Sequence, residues 1–321
     1  ALDRSRAAAS RGVALQRCDL FRSGPEKKPD AAPKAVTDDQ LGSSVAKRLE
    51  QTNSAGASAD KGVWYRTGYE QRFPNRFKPE WAQGYSVVEG SLMKRATQPF
   101  MWILNPGASA SAAVKGWLAG LTIGDCASAA CASMLDSVRE AVGDEKFDAY
   151  FKVDKIDTST KPDQVMVISQ STFGRLSTLT RDIDATRNPG TKNHRPVKKG
   201  DWHYFANHKD YPLKHPDGLF SGENAICLDD APGKQKWAGR GVATTDEDGM
   251  TKELMDAYNE PRTAKELAMI ASKSAEEKKQ FKLKSEGGTV ADTIKEGDIP
   301  GLTMKGFALD AAKVNSAFGL K

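Results

Sequence analysis

The sequence has no uninterrupted apolar run of about 18 residues, the length a membrane-crossing helix needs, so no membrane span is expected. It is also poor in cysteine. Cys18, Cys126, Cys131 and Cys227 in 321 residues do not make a disulfide scaffold. Cys126 and Cys131 fall on one expected helix, where neither their facing nor their separation suits a bridge. No arginine-rich helix and no aromatic–basic stripe of the kind that tracks a phosphate backbone is found, which argues against nucleic acid as a partner. The net charge of +5 comes from basic and acidic residues interleaved along the chain, a pattern that favours solubility or acidic protein surfaces. The start lacks the apolar core of a secretion signal, and the chain opens at Ala1 rather than methionine, so the compartment stays open. Aromatics are almost missing from residues 1–61, which are rich in Ala, Ser, Lys, Asp and Pro. That stretch reads as a flexible polar N-terminal segment, with a solvated linker at Arg22–Asp30 and one short helix between Leu41 and Leu49.

What is present begins sharply at Val63-Trp64-Tyr65, from where aromatics become dense and mark a packed body. Helices are expected from about Ser109 to Ala119 and from Cys126 to about Val142, the second ended by Gly143. Val165–Ile168, Trp202–Ala206 and Asn224–Asp229 read as strands, with a weaker one at Trp237–Ala243. Residues 175–195 show little periodicity and read as a long surface loop. A helix is expected to run from Thr245 through Tyr258, and a charged one from 263 to 284. The expected division is a polar segment 1–61, a folded body 62–262 and a charged helical extension 263–321.

Gly124-Asp125-Cys126 is the most informative tripeptide. The run before it, from Gly116 to Gly124, is apolar and punctuated by glycine, and the run after it is small and helix-forming. Asp125 is placed to cap that helix, with Cys126 in its first turn. Free N–H groups and the positive dipole end at that point favour a thiolate. A buried alanine-rich helix that happens to hold a cysteine is the plain alternative.

A nucleophile helix followed by antiparallel strands is the architecture of papain-like and NlpC-type cysteine enzymes. The fold class expected is therefore α+β, with the nucleophile helix packed on an antiparallel sheet. Gly200-Asp201-Trp202-His203-Tyr204-Phe205 resembles the opening of the first NlpC strand, but the second strand begins with Glu223 where the NlpC type has histidine. The segments Ala108–Val114, Asp125–Ala129, Gly143–Phe147, Gly200–Phe205 and Gly222-Glu223-Asn224 together resemble the protein-glutamine γ-glutamyltransferases (transglutaminases) of Bacillus spore coats. The likeness spans roughly residues 100 to 260.

That resemblance implies Cys126 as nucleophile, Glu223 as its catalytic partner and the preceding acid, Asp125, as an assistant. The family has glutamate where this chain has the shorter Asp125. It also has a histidine on the following strand, for which the matching position here is Ala238 or a neighbour. Phe220 matches the aromatic wall before the Gly-Glu pair, and Asn224 and Trp117 join it as candidate substrate contacts. The implied reaction is acyl transfer from a protein glutamine through a cysteine thioester to a lysine amine, giving a γ-glutamyl-lysine isopeptide. It needs no cofactor or metal, and its partners are proteins bearing Gln and Lys. A carboxylate beside a thiol raises the affinity of both for the shared proton, and the helix terminus opposes that rise. The alternatives are a cysteine amidase or glutamine deamidase, in which water replaces the amine, and an inactive binding protein that kept the fold.

His203, His208 and His215 lie near Asp201, Asp210 and Asp217, but their spacing matches no common metal motif. Strand alternation puts His203 and Phe205 on one face and Trp202 and Tyr204 on the other, so one pair must be buried. His203 is a strand residue on the simpler reading and a base for Cys126 on the sharper one. Cys131 and Cys227 read as packing, and Trp102 and Trp117 as core or as the rim of a glutamine slot. The lysines after residue 263 read as a solvated face, with self-cross-linking as the sharper alternative.

Overall fold

Leu41, Val45, Ala46 and Leu49 recur at helical spacing, and they form the buried stripe of α1 (Asp38–Ser54). The computed structural model describes residues 34–54, 58–184, 196–231, 234–240 and 242–321. After α1 come β1 (Val63–Tyr65), α2 (Arg66–Arg72), β2 (Tyr85–Ser86), β3 (Met93–Arg95) and β4 (Met101–Leu104). Helix α3 (Ala110–Ala119) opens on Ser109, whose hydroxyl accepts from the Ala112 N–H. Strand β5 (Thr122–Gly124) turns directly into α4 (Cys126–Val142), and α5 (Asp144–Phe151) follows.

Next along the chain are β6 (Val167–Ser169), β7 (Thr180–Asp184), β8 (Trp202–Ala206), the short α6 (Tyr211–Lys214), β9 (Gly222–Asp229) and β10 (Lys236–Gly239). The remainder is α7 (Glu247–Asn259), α8 (Ala264–Ala271), α9 (Ala275–Lys279), β11 (Gly301–Leu309) and α10 (Ala311–Phe318).

The central sheet has five strands in the order β10-β9-β8-β11-β7, each neighbouring pair antiparallel. One face packs under α1 and α4, through Trp202, Ile226, Leu228 and Ala238. The other face carries Phe205, Ala225, Cys227 and Trp237 and is covered by Met250, Leu254 and Tyr258 of α7. Buried aliphatics contribute about 1.5–3 kcal/mol each, so α1 and α4 are held by their apolar faces rather than by propensity. Two smaller sheets, β1-β5-β2 and β3-β4-β6, flank this body. The first carries an aromatic cluster of Trp64, Tyr69 and Trp81.

Helix α1 crosses the turn that opens β8 at backbone contact. A Cβ on Gly42 would lie 2.1 Å from the Lys199 carbonyl oxygen, and one on Gly200 (φ +86°) would lie 2.2 Å from Gly42 Cα. Both positions must therefore be glycine.

The α+β architecture and the antiparallel sheet under the Cys126 helix are those expected, and α4 and β8 match their expected spans. Three differences have physical causes. Residues 180–184, expected within a surface loop, form β7, an edge strand in which only Thr180 and Ile183 are buried. Its exposed Arg-Asp content hides the strand from a periodicity argument, and residues 185–195 lie outside the described residues. The charged helix expected over 263–284 is broken into α8 and α9, because Thr263 and Ser274 each start a new helix with a capping box. Most consequentially, the segments at either end of the expected 62–262 body enter the core. Strand β11 lies between β8 and β7, and α1 lies against α4. The expected linker at Arg22–Asp30 and Cys18 lie outside the described residues.

Candidate active site

Cys126 owes its position to a buried strand that ends in glycine. Strands β1 and β5 run parallel, with Tyr65 opposite Gly124. A Cβ on Gly124 would stand 3.3 Å from the Trp117 ring, so a small residue lets the chain turn over the indole into α4. Asp125 caps the helix, its Oδ1 accepting from the Ser128 N–H at 2.7 Å. Cys126 is then the first helical residue, 7% exposed.

Across from it, β9 presents Asn224. Both the backbone N–H and the side-chain Nδ2 of Asn224 donate to Cys126 Sγ, each at 3.4 Å. The Asn224 Oδ1 in turn accepts from the Trp202 indole N–H at 2.9 Å.

Glu223, one residue earlier on β9, is fully buried and pairs in register with Phe205 of β8. Its carboxylate rests on Gly239 so closely that a Cβ there would fall 1.9 Å from Oε1. Burial lowers the Arg240 guanidinium to about 10, and the Glu223 carboxylate opposes that fall. Arg240 also donates from Nη1 to Asn53 Oδ1 at 3.4 Å, while Asn53 Nδ2 donates to the Gly239 carbonyl at 3.1 Å.

These neighbours set the thiol. Burial raises Cys126 well above the usual thiol value, and the nearby carboxylates of Glu223 and Asp125 raise it further against the two Asn224 hydrogen bonds. Burial also pushes Asp125 up to about 6, with the Ser128 hydrogen bonds opposing. Burial and the carboxylates therefore outweigh the helix terminus, and the resting sulfur holds its proton. Cys131 and Cys227 are different in kind. Burial pushes each to about 12, and each thiol donates to a backbone carbonyl, of Val167 and Asp229 respectively.

Phe220 is half-buried and forms a wall with Tyr65, the ring centroids 5.8 Å apart. The Tyr65 hydroxyl donates to the Leu219 carbonyl at 2.9 Å, and next to it Arg66 Nη2 reaches the Asp217 carbonyl at 3.3 Å. Asn207 Nδ2 holds the Phe220 carbonyl at 2.7 Å. The loop before Gly222 is thus anchored on both sides. Tyr65 is a site residue that sequence reasoning missed; its signal was the aromatic onset at Val63-Trp64-Tyr65. Its phenol is raised well above the usual value by burial first, then by Cys126, Glu223 and Asp125.

Other expectations resolve by position. Trp117 is fully buried against Trp102, with centroids 5.5 Å apart, so it supports the turn from below and does not rim a substrate slot. Ala238 is buried opposite Ile226 in the core beneath α4. The ionisable neighbour on that strand's end is Arg240. His203 lies on the sheet face away from α4, edge-on to Trp237 at 5.6 Å. His215 hydrogen-bonds Glu266 and the Tyr258 carbonyl, and His208 packs on Tyr258.

A cysteine at the first residue of a helix, set on an antiparallel sheet with two carboxylates acting on the sulfur, is the arrangement of a cysteine-dependent enzyme of the papain-like kind. Residues 97–283 match the family profile described as protein-glutamine gamma-glutamyltransferase, and the chain belongs to that family. Its activity is acyl transfer from protein glutamine side chains. No curated protein matches the sequence. Among solved structures, a transglutaminase from Geobacillus stearothermophilus, without its C-terminal extension, is similar at 14% identity and a TM-score of 0.46. The match covers 86% of this chain and 93% of that one.

Proposed function

We propose that Cys126 is the nucleophile that takes the γ-glutamyl group of a protein glutamine and passes it to a lysine amine. The observation that carries this reading is the environment of one sulfur. It stands at the first residue of a capped helix, with two Asn224 N–H donors on it and the carboxylates of Asp125 and Glu223 within electrostatic reach. Because the resting thiol keeps its proton, a base must remove it as the bond to carbon forms. Glu223 takes that proton. The Cys126 Sγ bond to the carboxamide carbon forms, the carbon–nitrogen bond breaks, and Glu223 returns the proton to the departing ammonia. A lysine amine then attacks the thioester, its nitrogen bonding to carbon as sulfur leaves, and its surplus proton passes back through Glu223 to the thiolate.

Asp125 spends its Oδ1 on the helix cap and assists by holding Cys126 at the helix start. N–H groups of the first turn other than that of Ser128, which Asp125 occupies, stabilise the developing oxyanion. Phe220 and Tyr65 wall the approach of the glutamine side chain, and Asn224 is half-exposed beside it. The partners are proteins bearing Gln and Lys, not nucleic acid. No helix among the described residues is long and apolar enough to cross a membrane.

Incubating the full chain with a glutamine peptide and a labelled primary amine tests this. Ammonia release with amine incorporation is expected, with both reduced at least about a thousandfold in Cys126→Ala. Ammonia release without incorporation would replace the lysine acceptor by water, and activity retained in Cys126→Ala would overturn the nucleophile.

A further inference from the structure

Asn224 has two chemically different ends, and which one faces the sulfur is decided elsewhere. An indole N–H donates and cannot accept. The atom 2.9 Å from Trp202 Nε1 is therefore the Asn224 carboxamide oxygen, and the NH2 end is left to point at Cys126 Sγ, 3.4 Å away. With the amide flipped, a carbonyl oxygen would face the sulfur and two donors would face each other across 2.9 Å. Trp202 thus selects the only orientation in which the carboxamide assists a thiolate.

The indole is itself fixed. It is 5% exposed and packs edge-on against Phe173 at 4.9 Å and Phe307 at 6.1 Å. Phe307 belongs to β11 and stands opposite Trp202 in the sheet register. Asn224 sits on β9, and β8 lies between the two, so three strands supply one line of contacts ending at the sulfur. Hydrogen bonds to sulfur strengthen when it becomes anionic. A donor held in place beforehand therefore stabilises the deprotonating state more than the resting thiol, which is how binding energy lowers a barrier.

We propose that Trp202 is a positioning residue for the acyl transfer. It holds the Asn224 carboxamide so that two N–H donors, backbone and side chain, meet the Cys126 sulfur as its proton leaves. The inference rests on Cys126 as the nucleophile.

The test is the pH dependence of Cys126 alkylation by iodoacetamide, read by mass on the full-length chain and paired with the rate of amine incorporation. The titratable groups around the sulfur are Asp125 at the helix cap, Tyr65 at the end of β1, Tyr204 on β8 and Glu223 on β9, with Arg240 beyond β10 acting on Glu223. All are left unchanged. Trp202→Phe keeps the ring packing and removes the donor. Asn224→Ala removes the side-chain donor, leaves the backbone N–H and does not touch the aromatic stack.

Both substitutions are expected to move the alkylation inflection upward, Asn224→Ala by about one unit and Trp202→Phe by a substantial part of it. The incorporation rate should fall in step, while thermal midpoints stay close to the parent. In the double variant Trp202→Phe adds nothing beyond Asn224→Ala, because it acts only through that amide. An unmoved inflection in Trp202→Phe, or shifts that simply add in the double variant, would overturn the proposal while leaving Cys126 the nucleophile. A selective loss of amine incorporation with no change in Cys126 alkylation anywhere in the series would count against it as well. If Cys126 alkylation does not abolish incorporation, it is the nucleophile assignment itself that fails.

Discussion

Asp125 is a carboxylate kept in a place that disfavours its charge, and a residue so placed beside a thiol carries a signature in stability. Burial pushes it from 3.8 up to about 6, so between those values the folded protein holds a proton that the unfolded chain has lost. The folded state binds more protons there, and stability falls as pH rises through the window, the full penalty being reached above about pH 6. Two pKa units correspond to about 3 kcal/mol. Asparagine keeps the capping oxygen and removes the charge. Asp125→Asn is therefore expected to be more stable than the parent by about 2 kcal/mol at pH 8 and equal to it near pH 4, read from urea midpoints at both values. A difference that does not change with pH would show that the buried charge is not its source. The same substitution removes one of the two carboxylates acting on Cys126, so the alkylation inflection should move down, opposite to the change expected for Asn224→Ala.

At the scale of elements, the site is a meeting of the start of α4 with the ends of β9 and β10, and its tolerances are set by backbone proximity. Gly239 faces the Glu223 carboxylate where any Cβ would collide with Oε1 and lie 2.5 Å from Cδ and Cγ. Gly239→Ala must turn that side chain aside. The expectation is a fall in incorporation rate of about 10–100-fold with a stability loss of only about 1–2 kcal/mol, measured as steady-state rate and thermal midpoint on the same preparation. An unchanged rate would mean that the Glu223 orientation seen here is not the reactive one. Much of this arrangement was legible in the sequence. The Asp125 cap, the small-residue helix after it and the alternation of Trp202–Phe205 are local signals; the first two place the helix and its start, and the third pairs the faces of β8 without saying which one meets α4. Pairings between strands are not local. The sequence marks neither the Trp202–Asn224 hydrogen bond nor the approach of Tyr65 to Cys126, because register is set by the whole sheet. Ala238 illustrates the same limit. Its position on β10 was readable, but that the charged residue by Glu223 is Arg240 depends on how that strand ends.

For the whole molecule, the extent of the cooperative unit is the feature that composition concealed. The polar residues around 38–54 and 263–321 carry few apolar side chains per turn. Those few are placed where a sheet or helix face needs them: Leu41, Val45 and Leu49 on α4, and Leu309, Val314 and Phe318 in the same core. The family match ends at residue 283, yet the central sheet does not close until β11, which hydrogen-bonds β8 on one side and β7 on the other. Removing β11 would expose two strand edges in the middle of the sheet, detach β7, and strip Phe307 from the Trp202 indole that orients Asn224. A chain ending at residue 300 is therefore expected to lose cooperative thermal unfolding, followed by far-ultraviolet circular dichroism, and to show no amine incorporation. A chain ending at residue 262 should behave no better. A sharp melt with retained activity in the chain ending at 300 would mean that β8 and β7 close the sheet without β11, and that Trp202 keeps its place without Phe307. Short of that result, the folded unit is expected to run through β11 to α10, because the strand beside β9, which faces Cys126, is held in place from the far end of the chain.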